Sequence, residues 1–158
     1  MSHSFTLTDH TGNVFQVAQH LPLIVYFYPK DNTPGCSTEA AEFSSLYNDF
    51  KILGYEIVGI SRDSVASHQK FVCKLDIPFA LLSDPDETVC QQFGVIKEKN
   101  MYGKKVCGIE RSTFILNKKG EIVQEWRKVK AAGHAESVLE WVKNFQAGQI
   151  KHSSATLE

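Results

Sequence analysis

The stretch YFYPKDNTPGCSTEAAEF, residues 26–43, places a cysteine where a helix is predicted to begin. Thr33 has the residue type of an N-cap and Pro34 is favoured as the first helical residue, so Cys36 falls third in the helix. Backbone N–H groups in a first helical turn lack partners within the helix, and the helix dipole favours negative charge there. A thiol at this position should ionise more readily than a free cysteine, and the thiolate is the nucleophilic form.

Two neighbours of Cys36 suit a reactive site. Gly35 lets another molecule approach the backbone closely. Pro29 ends the preceding apolar run, fixes the chain direction and can wall off one side of a pocket. The alternative is a buried structural cysteine near a helix start, because cysteine is among the most buried residue types. Taken by themselves, these residues leave a reactive nucleophile and a packed core residue as equal alternatives.

The remaining cysteines and the histidines give no metal-binding pattern. The four cysteines, at positions 36, 73, 90 and 107, include no CxxC pair, and no histidine is spaced to complete a zinc site. We therefore expect no metal. We interpret the following histidines as surface or core residues: His10, His20, His68 and His134.

Composition narrows the class of protein. A chain of 158 residues with 42% hydrophobic and 22% charged residues is typical of one folded domain. A formal net charge of -1 gives no electrostatic reason to expect nucleic acid or an anionic membrane as partner. The N-terminus MSHSFTLTDH lacks the apolar segment of a signal peptide, and no apolar run approaches the roughly 18 residues of a membrane span. We expect a cytoplasmic protein, in which structural disulfides are rare.

The elements that must position Cys36 follow from apolar periodicity. Predicted strands cover residues 13–18, 21–29, 55–61 and 79–84, and a hairpin with the turn NKKG covers residues 109–129. Predicted helices cover 34–53 with Gly54 at the C-terminal cap, 64–75 with Ser64 as N-cap, 84–94 with Asp84 as cap and Pro85 first, and 134–148.

This order predicts an α/β fold with a central mixed β-sheet flanked by helices on both faces, as in the thioredoxin-like arrangement. We expect a single domain over residues 1–150, followed by a C-terminal tail at 151–158 whose final LE is typical of an expression-vector remnant. No GxGxxG follows a strand and no GxxxxGK[ST] occurs, so dinucleotide and P-loop sites lose their main support.

The motifs resemble those of a known family. PKDNTPGC matches the peroxiredoxin signature PxxxTxxC, and TPGCSTEAAEF resembles the Q-type branch, also called bacterioferritin comigratory protein. The resemblance continues through SRDSVASH, LLSD, MYGKK and GIERSTFIL to WRKVKAAGHAESVLE, and so covers nearly the whole chain. It implies a thiol-dependent peroxidase that reduces hydrogen peroxide and organic hydroperoxides without metal, flavin or haem. It also implies thioredoxin as the reductant, with a small thiol or glutaredoxin as the alternative donor, and we expect a monomer.

The resemblance also implies roles for individual residues. Cys36 would attack one peroxide oxygen and become a sulfenic acid, releasing water or alcohol. Thr33 would hold the peroxide and the thiolate together, and Pro29 would shield the thiolate from water. Arg111 would favour the thiolate and orient the peroxide, since a guanidinium has a fixed fork of donors, and Gly35 would share in binding the substrate. Glu39 would orient Arg111, although a glutamate on the helix surface is nearly as good an interpretation.

The resolving cysteine departs from one family pattern. Many Q-type members carry it five residues after the peroxidatic cysteine, where this chain has Ala41. Other members resolve from the next helix, where Cys73 lies about 140° from the centre of the apolar arc and is predicted to be exposed. We expect the first turn around Cys36 to unwind so that Cys73 can reach it, because a disulfide needs Cα atoms within about 7 Å.

The two remaining cysteines are alternatives for that role. Cys90 shares a helix side with Val89 and Phe93 and is predicted to be a core residue. Cys107 shares strand parity with Ile109 and Arg111, which would turn it toward the site, but a small strand-packing residue is the favoured interpretation.

Three alternative functions stay open. In a one-cysteine peroxidase, an outside thiol would reduce Cys36. A thiol–disulfide oxidoreductase is disfavoured because Thr33 and Cys36 bracket Pro-Gly where a CxxC motif would need two cysteines. A non-catalytic redox sensor of thioredoxin-like fold would oxidise Cys36 without turnover.

Overall fold

The computed structural model describes residues 3–157, and for residues 99–101, 106 and 148–157 it describes the backbone only. The strands are β1 Thr6–Asp9, β2 Val14–Gln16, β3 Leu23–Phe27, β4 Glu56–Ser61, β5 Ala80–Ser83, β6 Ile96–Met101, β7 Lys104–Ile109, β8 Ser112–Leu116 and β9 Ile122–Trp126. The helices are α1 Pro34–Ile52, α2 Val65–Leu75, α3 Thr88–Gln92 and α4 His134–Leu157.

Seven strands form one mixed sheet in the order β2-β1-β5-β4-β3-β8-β9. β3, β4 and β5 pair in parallel, whereas the other contacts of the sheet are antiparallel. The predicted α/β fold with a mixed sheet is therefore confirmed. β6 and β7 form a separate antiparallel ribbon.

Strand β3 is buried on both faces, as its continuous apolar run predicts. Alternate side chains enter two different cores. One core, which includes Phe43 and Phe50 of α1 and Val138 of α4, receives Ile24 and Tyr26. The other core, which includes Phe93 and Phe114, receives Leu23, Val25 and Phe27. The sheet is thus packed on both faces. The chain leaves the end of β3 and reaches the start of α1 after a short loop.

Helix α1 begins where the sequence predicts it to begin. Thr33 is its N-cap residue in an extended conformation, and Pro34 is its first residue. The helix ends at Ile52, one residue before the predicted end, and Gly54 follows with a φ of +88°. Its N–H donates to the Lys51 carbonyl, so the glycine supplies the left-handed conformation that closes the helix.

The predicted start of the third helix is wrong. Asp84 and Pro85 precede the helix, and Glu87, with a φ of +62°, is the residue before its first turn. The Asp84 carboxylate instead accepts a hydrogen bond from the Cys90 backbone N–H at 2.8 Å, inside the helix. The turn Asp84-Pro85-Asp86 therefore precedes α3, and the Asp84 side chain reaches forward to bind an amide of the helix.

The structure contains strands that were not predicted and a longer last helix. The sequence gives β1 and the β6–β7 ribbon too weak an apolar pattern to be identified, because both are short or polar segments with few buried side chains. Helix α4 continues past its predicted end at residue 148 to Leu157. No described helix is both long enough and apolar enough to cross a membrane.

Candidate active site

Cys36 is the third residue of α1, and its side chain is almost completely buried, with 1% of its surface exposed. Its sulfur accepts a hydrogen bond from Nη2 of Arg111 at 3.3 Å. The two residues are far apart in sequence, and the sheet brings them together because β3 and β8 are adjacent strands. The Arg111 guanidinium thus lies against the Cys36 sulfur at a helix N-terminus, where the helix dipole supplies additional partial positive charge.

Arg111 lies between β7 and β8, immediately before Ser112. Its second terminal nitrogen, Nη1, donates to Oε1 of Glu39 at 2.7 Å. Burial lowers the pKa of Arg111, but the negative charges of Glu39 and Cys36 outweigh this effect and raise the pKa above its ordinary value. The guanidinium therefore stays charged, with one nitrogen fixed by a carboxylate and the other directed at sulfur.

Glu39 is fully buried one helical turn after Cys36. Burial raises the pKa of Glu39 to about 7, although the Arg111 charge and hydrogen bond act in the opposite direction. Among the described residues, its Oε2 atom has no hydrogen-bond partner. The short contact to Arg111 represents the ionised form, so the carboxyl group is a paired anion that takes up a proton near neutral pH.

Thr33 occupies the predicted cap position but uses its hydroxyl differently. Its Oγ1 donates to the Lys30 carbonyl at 3.0 Å, and no N–H of the helix donates to this side chain. The backbone carbonyl of Thr33 accepts from the Ser37 N–H at 2.8 Å, which makes the first helical turn. The hydroxyl is therefore held by the loop that precedes the helix, and the N–H groups around Cys36 are not capped by it.

Gly35 has a packing role that sequence reasoning missed. A Cβ atom at this position would lie 3.0 Å from Nη2 of Arg111. The glycine therefore lets the guanidinium lie directly on the first turn of α1. Pro29, by contrast, is exposed at the end of β3, and its shielding role stays a prediction.

The other cysteines lie in three different environments. Cys73 is exposed on α2, as predicted. Cys90 is fully buried, which confirms it as a core residue, and burial together with Asp84 raises the pKa of its thiol well above the ordinary value. Cys107 is exposed on β7, and this strand ends at Ile109, so strand parity does not extend from Cys107 to Arg111.

A buried polar network beside the loop was also missed by sequence reasoning. His68, on α2, has no exposed side-chain surface, and its Nδ1 lies 2.6 Å from Oδ2 of Asp31. The helical spacing of His68 and Phe71 on one side of α2 is the signal that places this histidine inside. In the described part of the chain, ligand-type atoms of Asp31, Asp63 and His68 lie within 4.8 Å of one another, but hydrogen bonds already engage them.

Comparison with known proteins identifies the family. Residues 2–125 match the AhpC/TSA family. Peroxiredoxin Bcp of Xanthomonas campestris is 58% identical over 138 residues, which cover 87% of this chain and 81% of that protein. Peroxiredoxin Bcp of Bacillus subtilis is 44% identical over 78% of each chain.

Solved structures agree with these relatives. The bacterioferritin comigratory protein of Xanthomonas campestris, studied for its alkyl peroxide reduction activity, superposes with a TM-score of 0.86 at 50% identity and covers 89% of this chain and 91% of its own. A mutant of the Xylella fastidiosa protein PrxQ gives a TM-score of 0.86 at 44% identity, with 90% and 89% covered. The chain therefore belongs to the AhpC/TSA family, and within it to the peroxiredoxins of the Bcp or Q type with their thioredoxin-like fold.

Proposed function

We propose that this thiol peroxidase reduces hydrogen peroxide and organic hydroperoxides through Cys36, and that Cys73 then resolves the oxidised cysteine within the same chain. The observation that supports Cys36 best is its contact with Arg111, at 3.3 Å from sulfur to Nη2, in the first turn of α1. The similarity to a Xanthomonas protein described for alkyl peroxide reduction supports organic hydroperoxides as substrates.

The first step is an attack by the Cys36 thiolate on one peroxide oxygen. An S–O bond forms while the O–O bond breaks, so sulfur is oxidised to the sulfenic acid and the peroxide is reduced. The departing oxygen takes up a proton and leaves as water or alcohol. Arg111 is placed to stabilise the charge that develops on this oxygen, with Glu39 holding the guanidinium and Thr33 and Gly35 lining the approach.

The second step joins Cys36 to Cys73. The Cys73 thiolate attacks the Cys36 sulfur, the S–S bond forms and the S–O bond breaks, and the departing hydroxide is protonated to water. Cys36 is buried in α1 whereas Cys73 is exposed on α2, so the first turn of α1 has to unwind before this attack. Thioredoxin then reduces the disulfide by thiol exchange.

Peptide mass mapping after one equivalent of hydrogen peroxide, with free thiols blocked, tests both steps. The expected product is a Cys36–Cys73 crosslink. A Cys36 sulfenic acid beside a free Cys73 would contradict intramolecular resolution and favour the one-cysteine mechanism. An unmodified Cys36 would contradict the peroxidase assignment of this residue.

The Cys73→Ser variant separates the two mechanisms in turnover. With thioredoxin as donor, its peroxidase turnover is expected to collapse, while turnover with a small thiol persists. Cys107→Ser is the matched control, because Cys107 is also exposed and free. Equal loss in both variants would contradict the special role of Cys73.

We further propose a cytoplasmic monomer that uses thioredoxin as its electron donor. A relative of this chain is named peroxiredoxin, and membership of that family implies a peroxide substrate and a thiol reductant. Size-exclusion chromatography of the reduced and oxidised forms tests the monomer, and a thioredoxin-coupled assay against a glutaredoxin-coupled one tests the donor.

A further inference from the structure

The buried network between the active-site loop and α2 is not used by the chemistry described above. Asp31 lies two residues before Thr33, and only 3% of its side chain is exposed. Its carboxylate accepts hydrogen bonds from the Tyr28 hydroxyl at 2.6 Å and the Ser67 hydroxyl at 2.8 Å. The third donor is Nδ1 of His68, at 2.6 Å.

The geometry around His68 makes this contact an ion pair. Its Nε2 lies 3.0 Å from the Leu82 carbonyl oxygen, while its Nδ1 faces the Asp31 carboxylate. A carbonyl and an ionised carboxylate only accept hydrogen bonds, so opposite an ionised Asp31 the ring donates from both nitrogens, as an imidazolium does. A fully buried charge pair with each member hydrogen-bonded is costly to break one partner at a time.

The backbone of Asp31 is held as well as its side chain. Its N–H donates to Oδ2 of Asp63 at 2.8 Å, and Asp63 is fixed in turn by the Ser61 hydroxyl at 2.6 Å. Asp31 is thus tied to both the end of β4 and the first half of α2. This residue is a rigid point in the loop.

The residue after Asp31 is much less constrained by its surroundings than Asp31 is. Asn32 is exposed and has a φ of +60°, a left-handed conformation that is uncommon outside glycine. Its side-chain oxygen accepts a hydrogen bond from Nζ of the exposed Lys74 at 2.6 Å. A residue of this kind can absorb a backbone rotation when the neighbouring helical turn unwinds.

We propose that the Asp31–His68 ion pair anchors the upstream end of the segment that unwinds, which makes Asp31 and His68 positioning residues for the disulfide between Cys36 and Cys73. This inference rests on the proposed resolution by Cys73. The anchor joins the loop that holds Cys36 to the helix that holds Cys73. The unwound segment therefore swings from a point that is fixed relative to its target.

The distances suit this arrangement. The five residues from Asp31 to Cys36 span at most about 17 Å when extended. The five residues of α2 from His68 to Cys73 advance about 7.5 Å along the helix axis. Fixing the pivot raises the effective concentration of one sulfur near the other, and a misplacement of about 1 Å can lower a rate roughly a hundredfold.

Two substitutions test the anchor. His68→Gln removes the positive partner, and Asp31→Asn keeps the shape but removes the charge and replaces one acceptor oxygen with a donating NH2 group. In single-turnover reactions with peroxide, we expect His68→Gln to slow disulfide formation about tenfold or more relative to the loss of the Cys36 thiol. Excess peroxide should then convert more Cys36 to sulfinic acid. Asp31→Asn should lie between wild type and His68→Gln.

Ser64→Ala is the matched control. It removes the side-chain cap of α2, since Ser64 Oγ accepts the Ser67 N–H at 3.1 Å, but leaves the ion pair in place. We expect it to destabilise α2 without changing the ratio of disulfide to sulfinic acid. If Ser64→Ala changed the ratio of disulfide to sulfinic acid as much as His68→Gln does, loss of helix stability alone would explain the effect of His68→Gln. That result would overturn the proposal.

Hydrogen exchange gives a direct view of the anchor. In the wild-type disulfide form, the Ser37 amide should lose protection while the Asp31 amide keeps it; in the His68→Gln disulfide form, both should exchange rapidly. If wild type forms no Cys36–Cys73 disulfide, the proposed resolution fails and the anchor with it. If the disulfide forms but the ratio and the Asp31 amide are unchanged in both variants, only the anchor is wrong.

Discussion

At the scale of single residues, Arg111 has two tasks that need its shape as well as its charge. One nitrogen contacts the Cys36 sulfur and another contacts Glu39. The sequence predicts Arg111, Cys36 and Glu39 through the family resemblance, because the physical signal in an isolated arginine or glutamate is weak. Their contacts depend on the pairing of distant strands, which no local pattern specifies.

Replacing Arg111 by lysine should lower the second-order rate with hydrogen peroxide by about a hundredfold or more, because lysine cannot direct separate donors at sulfur and carboxylate. Stopped-flow measurement of thiol oxidation gives this rate. Arg127→Lys is the control, since Arg127 donates to the Phe93 and Gly94 carbonyls. Equal rates in wild type and Arg111→Lys would contradict the role of the guanidinium fork.

Glu39 predicts a specific pH dependence of stability. Its pKa is raised from 4.5 to about 7, so the folded protein binds this proton more tightly than the unfolded chain. The resulting stabilisation is fully present below pH 4.5 and is lost as the pH rises through about 7. Urea unfolding of wild type and Glu39→Gln between pH 5 and 8 should show wild type losing stability relative to the variant.

This comparison isolates Glu39 because both proteins retain His134. Burial, aided by the Arg111 charge, lowers the pKa of His134 to about 4, so its contribution changes in the opposite direction and cancels in the difference. Parallel stability curves for the two proteins would show that Glu39 does not titrate in this range.

At the scale of elements, the first turn of α1 depends on a glycine for its contact with Arg111. Gly35→Ala should leave stability unchanged or raise it by about 0.5–1 kcal/mol, because alanine is the better helix former. The rate with peroxide should fall roughly tenfold, since a Cβ at 3.0 Å displaces Nη2. Stopped-flow rates and urea midpoints measured on the same preparations check both parts.

Gly108→Ala provides the matched control for this variant. A Cβ at Gly108 meets no atom of the described residues within 4 Å, so the rate of this variant should equal that of wild type. A Gly35→Ala protein that reacts as fast as wild type would show that Arg111 adjusts without loss.

Element ends that depend on neighbouring residues were predicted correctly, whereas features that depend on residues distant in sequence were not. The start of α1 follows from Thr33 and Pro34, and the cap of α2 from Ser64. Asp84 misled because its carboxylate binds the Cys90 amide in the first turn of α3 from a position three residues before Glu87, the residue at the N-cap. His68 lies in the SRDSVASH segment, but its contact could not be predicted because its partner Asp31 is 37 residues distant.

At the scale of the whole molecule, close packing at the centre of the sheet leaves no room for added volume. A Cβ at Gly59 of β4 would lie 2.8 Å from Cζ of Tyr26 and 2.9 Å from Cδ2 of Leu81. Gly59→Ala should therefore cost about 1–3 kcal/mol of the free energy of unfolding. Urea denaturation measures this, and an unchanged midpoint would mean that the core containing Tyr26 and Leu81 adjusts around the new methyl group.

The burial of Cys36 also determines how the four thiols compete for external reagents. In the reduced form Cys36 and Cys90 are shielded, whereas Cys73 and Cys107 face solvent. A bulky maleimide should therefore label the two exposed thiols long before Cys36. The rate of maleimide labelling at Cys36 therefore measures how often the first turn of α1 opens.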